Sequence, residues 1–81
     1  MVNIKTSDKF ERILNKIDKS LKIQIDKTIR KIINNPQIGK PMSYNRKDTR
    51  ELYISSFRLS YLFDKNADTI FLLDFYHKDE Q

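Results

Sequence analysis

The sequence predicts an α+β domain, with an N-terminal helical hairpin packed on one face of a small, mainly antiparallel, twisted sheet. Three observations lead there. Apolar residues recur at helical spacing through the first 34 residues. They then alternate with strand parity from Arg50 to Phe63, and fill both parities from Thr69 to Tyr76. The one glycine, Gly39, and the two prolines, Pro36 and Pro41, fall between these two regions, where the chain changes its period.

An 81-residue chain is long enough for one domain, residues 1–81, and too short for two. No cysteine is present to staple so thin a core, which is compatible with a reducing cytoplasm. No apolar run approaches the roughly 20 residues that span a bilayer, and MVNIKTSDKF lacks an apolar signal region. The expected location is therefore cytoplasmic, with no membrane partner. Sixteen Lys and Arg against eleven Asp and Glu give a formal charge of +5. That balance suits nucleic acid, an acidic protein or an anionic surface, and the bland reading is a solvated Lys-rich exterior.

Taken in order, Val2 to Lys5 alternate as a short edge strand. Ser7 or Asp8 can cap a first helix, with Glu11 placed for a capping box or for the first-turn dipole. Phe10, Ile13, Leu14 and Ile17 make its apolar stripe. A second helix starts between Asp18 and Ser20 and ends at Asn34, because Pro36 disfavours helical backbone at Asn35. Leu21, Ile25, Ile29, Ile32 and Ile33 form its apolar side, and Ile23 lies off it. The connection from Gln37 to Thr49 is basic, carrying Lys40, Arg46 and Lys47, and Met42 to Tyr44 are expected to pair briefly as an edge strand.

Strands follow at Arg50 to Ile54, Phe57 to Phe63 and Thr69 to Tyr76, joined by a tight Ser55-Ser56 turn and a polar turn from Asp64 to Asp68. The last strand is apolar on both faces apart from Asp74, as for a strand with neighbours on each side. In the middle strand Phe57, Leu59, Tyr61 and Phe63 share one face, and Arg58 shows on the other. An arginine there has no packing duty and calls for an anionic partner.

If helices cover the Phe57 face, the open face is free to bind. Tyr44, Tyr53 and Tyr76 can stack bases, and Arg46, Lys47, Arg50 and Lys78 can hold phosphates. RNA carries its own nucleophile, the 2′-OH, so cleavage needs a base, a cation at phosphorus and an acid for the leaving oxygen, with no metal or other cofactor. Arg58 suits the cation, since a guanidinium makes two parallel bonds to phosphate. His77, the one histidine, can be acid or base. The structural alternatives are a solvent-exposed His77 and an Arg58 paired across strands with Glu51 or Asp74. One histidine with scattered carboxylates lacks metal-ligand spacing.

The chain resembles the RelE/ParE superfamily of toxin–antitoxin toxins over nearly its whole length. KIINNPQIGKP is similar to that family's second helix and "NP…GKP" turn. RELYISSFRLSYLF is similar to its strand pair, whose second strand reads "YR-L-x-Y" or "HRLVY". LLDFYHKDE is similar to its last strand, which ends in a histidine. The resemblance implies an mRNA endonuclease, acting in the ribosomal A site and neutralised by a co-encoded antitoxin in a hetero-oligomer. The family's arginine at the scissile phosphate falls on Arg58, and the near-terminal histidine of YoeB-like members falls on His77. The family's basic residues have looser counterparts in Arg46, Lys47 and Arg50. YoeB-like members carry a glutamate after "GKP", where this chain has Met42 or Ser43, and end in a catalytic tyrosine, where it has Lys78, the candidate catalytic residue at that place; Glu51 or Glu80 is the candidate substitute for the carboxylate. RelE-like members use a tyrosine in a C-terminal extension that this sequence lacks. ParE-like members act on DNA gyrase. The alternatives to a nuclease are thus a gyrase inhibitor and an inactive paralogue that binds antitoxin.

Overall fold

The computed structural model describes residues 2–42 and 48–80. Strand β1 (Asn3–Thr6) leads into helix α1 (Asp8–Leu14), then helix α2 (Lys19–Asn34). A short strand β2 (Lys40–Pro41) precedes β3 (Thr49–Ile54), β4 (Phe57–Asp64) and β5 (Thr69–His77), and one 3-10 turn (Lys78–Glu80) follows. The five strands form one sheet in the order β1-β5-β4-β3-β2. Only β1 runs parallel to its neighbour; the other three pairings are antiparallel. The expected α+β fold with a mainly antiparallel sheet is the fold observed.

Both helices need the sheet to hold their shape. A seven-residue helix is too short to persist alone in water. Phe10 is the one buried residue of α1, and complete burial of a phenylalanine stabilises by about 1.5–3 kcal/mol. Of the two candidate caps, Ser7 serves: its Oγ accepts from the Phe10 amide at 3.0 Å and donates to the Leu73 carbonyl at 2.7 Å. One hydroxyl thus starts the helix and ties it to β5. Glu11 makes no capping box, because its carboxylate accepts from the Thr6 hydroxyl at 2.6 Å. Helix α1 stops at Leu14, short of the predicted stripe's last residue, and Ile17 packs on the core from the link instead. Asp18 caps α2 through the Leu21 amide at 2.8 Å. Ile25 and Ile32 are buried, with Leu21 and Ile29 half-buried against them. Ile33, expected on this apolar side, is 37% exposed, while Ile23 is exposed as expected.

On the sheet the core is Ile54, Leu59, Tyr61, Ile70, Leu72 and Phe75. Leu59 and Tyr61 are buried, and Phe57 and Phe63 pack at the margin, so the predicted face of β4 is the face that meets the helices. Strand β5 contains a bulge that the sequence pattern concealed. Ser60 pairs with Asp74 and Tyr61 with Leu72, which leaves Leu73 as an extra residue. The bulge switches the strand's phase, so that Ile70 and Leu72 before it and Phe75 after it all reach the same core. The doubly apolar look of TIFLLDFY therefore has two sources: a position between β1 and β4, as expected, and a phase shift. An edge strand lies at Lys40–Pro41, ahead of the expected span Met42 to Tyr44, and Met42 extends its ladder by donating to the Thr49 carbonyl at 3.0 Å. Ser43 and Tyr44 lie outside the described residues.

Candidate nucleic-acid interface

Directly opposed residues in an antiparallel ladder share a face. Arg58 stands opposite Tyr53 on β3 and Tyr76 on β5, so a Tyr-Arg-Tyr row crosses the face away from the helices, centred on the middle strand. The Arg58 guanidinium carbon lies 3.8 Å from the centroid of the Tyr53 ring, a cation–π contact, and Tyr53 itself is 55% exposed. Its other bond among the described residues is a long one, 3.4 Å, from Nη1 to the carbonyl of Phe57. Neither carboxylate considered as its partner takes it. Asp74 pairs with Lys9 at 3.0 Å, and Glu51 accepts from the Tyr76 hydroxyl at 2.9 Å. Among the described residues, Arg58 has no anionic partner.

The next row along the same face is Glu51, Ser60 and Asp74. Glu51 is only 9% exposed and Ser60 is buried, although no helix covers them. Lys40, opposite Glu51 on β2, completes the row at the sheet edge. A shallow cleft of about 280 Å3 opens there, lined by Ile38, Lys40, Glu51, Leu52 and Tyr53. Lys40 belongs to the basic connection but is not among the expected phosphate-binding residues, and the register of β2 turns it to the open face. A larger cleft of about 510 Å3 lies at the opposite end of the strands, between Asp48, Arg50, Leu62, Phe63 and Asp64, and includes neither Arg58 nor its tyrosines.

Arg50, expected to hold phosphate, faces the other way. It stands opposite Tyr61 on the helix side, and its Nη1 donates to the carbonyls of Gln37 and Gly39 at 3.1 and 2.8 Å. The bends around Pro36 and Gly39 present those carbonyls, and Arg50 satisfies them. His77 was expected to converge on Arg58, and the register corrects this. It stands opposite Phe57, and its ring meets that of Phe57 edge-on at 5.3 Å, on the face opposite Arg58. Its Nδ1 lies 3.2 Å from the Asp79 amide and 3.5 Å from the Asp79 carboxylate. Lys78 follows on the 3-10 turn, exposed, its amide bonded to the Ser56 carbonyl at 2.8 Å. Arg46 and Lys47 lie outside the described residues. The structure thus gathers Arg58, Tyr53, Tyr76 and Glu51 and brings Lys40 to the same face. Among the described residues no three His, Cys, Asp or Glu side chains cluster as metal ligands, and no helix is long and apolar enough to cross a membrane.

Residues 4–80 match the family profile described as the ParE-like toxin of type II bacterial toxin–antitoxin systems. The chain belongs to the ParE-like toxins. Solved structures agree with this family in fold. The toxin is similar to a chain of the intact Escherichia coli RelBE toxin–antitoxin complex, with a TM-score of 0.83 and 14% identity over 95% of this chain and 96% of that one. It is similar in the same way to a chain of the Mycobacterium tuberculosis RelBE2 complex, with a TM-score of 0.83 and 19% identity over 94% and 96%. For YafQ of E. coli strain BL21(DE3) the TM-score is 0.76, with 16% identity over 99% and 97%. Identities this low carry the fold and not the chemistry. No curated protein sequence matches this ParE-like toxin.

Proposed function

We propose that this toxin is an endoribonuclease that cuts mRNA on the ribosome, in the cytoplasm, using the RNA's own 2′-OH, and that a co-encoded antitoxin silences it in a hetero-oligomer. The observation that carries the reading is Arg58. It is a cation at the centre of the sheet face turned away from the helices, without a carboxylate partner among the described residues, set between two tyrosines. A guanidinium so placed binds a phosphodiester bidentately and stabilises the charge that grows at phosphorus, while the flanking rings offer stacking surfaces to adjacent bases. Lys40 and Lys78, at opposite margins of the β3–β4 ladder, extend the reach along a strand of RNA. His77, on the helix side, has no part in the reading. The antitoxin partner is supported by the fold's occurrence in toxin–antitoxin complexes, RelBE and RelBE2 among them. It would lay acidic groups over Arg58, the position a phosphate otherwise takes.

The test is Arg58→Ala in a translation-coupled cleavage assay read by primer extension. Loss of one such electrostatic donor is expected to slow cleavage by about 10²–10³-fold. Unchanged cleavage refutes the role of Arg58. Intact message together with inhibited DNA supercoiling refutes the nuclease and favours a gyrase inhibitor.

A further inference from the structure

Arg58 supplies charge but no proton transfer, and the row beside it holds an unusual pair. Glu51, a carboxylate residue, is only 9% exposed on the sheet face turned away from the helices. Burying a carboxylate costs several kcal/mol unless a cation or several donors compensate. Here the donor among the described residues is one neutral phenol, that of Tyr76, at 2.9 Å. Lys40, opposite on β2, and Arg58, diagonal on β4, make no ion pair with it among the described residues. A stability argument would put an apolar residue at position 51. The arrangement is better explained as one that keeps a proton acceptor ready.

The route between the two residues matters as much as the bond. Tyr76 is on β5 and Glu51 on β3, with β4 between them, a span of two strand spacings or about 9.5 Å. Tyr76 stands opposite Arg58, and Glu51 stands opposite Ser60. The phenol therefore crosses β4 between the arginine and the serine, and the small side chain of Ser60 leaves room for the ring. Its oxygen ends at Glu51 on β3, the strand that also carries Tyr53, the ring beneath the Arg58 guanidinium.

Resting on the nuclease reading above, we propose that Tyr76 is the catalytic group that activates the RNA 2′-OH and that Glu51 is its positioning residue and proton sink. A phenol can accept at its oxygen while its own hydrogen is donated elsewhere. As the 2′-O–H bond breaks, its proton passes to the Tyr76 oxygen, and the Tyr76 proton passes to Glu51 Oε2. The 2′-oxygen forms its bond to phosphorus, the P–O5′ bond breaks, and the electron pair leaves on O5′, which takes a proton from water. Glu51 then returns a proton to water. The products are a 2′,3′-cyclic phosphate and a 5′-hydroxyl, with no net change in protons.

The test compares Glu51→Gln, Tyr76→Phe and the double variant in single-turnover cleavage of mRNA on the ribosome, alongside binding to the same ribosome–mRNA complex. Each single change is expected to slow cleavage by about 10²-fold, the lower end for a lost general base. Binding stays within about threefold, and the double variant is no slower than the worse single, as for residues acting as one unit. A substrate with sulfur at the 5′-bridging position needs no proton on its leaving group, so both variants should remain slow on it. Recovery on that substrate overturns the base assignment, and so does a rate loss matched by a binding loss. Slow Arg58→Ala with fast Glu51→Gln and Tyr76→Phe overturns the relay and leaves the nuclease reading standing. A wild-type protein that leaves translated message intact overturns both. Tyr76→Phe keeps the ring's packing, so it decides the matter if Glu51→Gln does not fold.

Discussion

Tyr61 is the buried tyrosine of β4, and its hydroxyl joins two segments that are distant in sequence. It accepts from the Gly39 amide at 2.9 Å and donates to the Pro36 carbonyl at 2.8 Å, pinning the bend after α2 to the central strand. Tyr61→Phe keeps the ring and its packing and removes only the oxygen. The net loss for the two hydrogen bonds is about 1–3 kcal/mol, and leaving the buried Gly39 amide without an acceptor adds about 1 kcal/mol or more. The sum, about 2–4 kcal/mol, is a large fraction of the 5–15 kcal/mol that typically holds such a domain together. For a chain of this length it corresponds to a fall in Tm of about 8–30 °C. Urea unfolding of both proteins measures the difference directly, with the slope unchanged if both states keep their compactness. A loss under about 0.5 kcal/mol would refute the reasoning, since it would mean that water meets these backbone groups as well as the hydroxyl does.

Two further outcomes follow from the same corner. Gly39→Ala would bring a Cβ to 2.7 Å from Tyr61 Cε1 and Oη and 3.0 Å from Arg50 Cβ, so it is expected to destabilise by about 1–3 kcal/mol in the same urea titration, despite the smaller entropy of the unfolded chain. Burial raises the Tyr61 pKa above its ordinary 10.0, with the Gly39 amide and the Arg50 charge partly opposing the rise. Below that value the phenol is protonated in both states and contributes no pH dependence. Above it the unfolded chain loses the proton first, so stability falls as pH rises. Urea midpoints at about pH 9 to 11 should therefore fall less steeply for Tyr61→Phe than for the wild type.

Much of this fold can be read along the chain because its signals are local. The caps Ser7 and Asp18, the stop before Pro36 and the parity of FRLSYLF depend on residues within a turn or a strand of one another. The alternation that places Leu59 and Tyr61 in the core is also what turns Arg58 outward. Motif order likewise pointed to the RelE/ParE toxins, in agreement with the family match over residues 4–80. The errors lie where one segment's position depends on another. Ile33 fits the helical stripe, but α2 meets the sheet at Ile25 and Ile32, so the sheet leaves one flank of the stripe uncovered. His77 follows the last strand as the motif suggests, yet the bulge at Leu73 sets which face it joins.

The same division runs through the site. Sequence by itself determined that this chain has a cation on the outer face of a central strand and tyrosines within two strands of it, because side-chain parity is a property of the backbone alone. Tertiary structure decided which groups surround that cation. Arg50 turns to the carbonyls of Gln37 and Gly39, Asp74 goes to Lys9, and the Tyr76 phenol goes to Glu51 across β4. These partnerships rest on register, and register depends on a bulge and on an edge strand whose pairings join residues far apart in the chain. A one-residue shift in either would exchange the two faces and put different side chains beside Arg58.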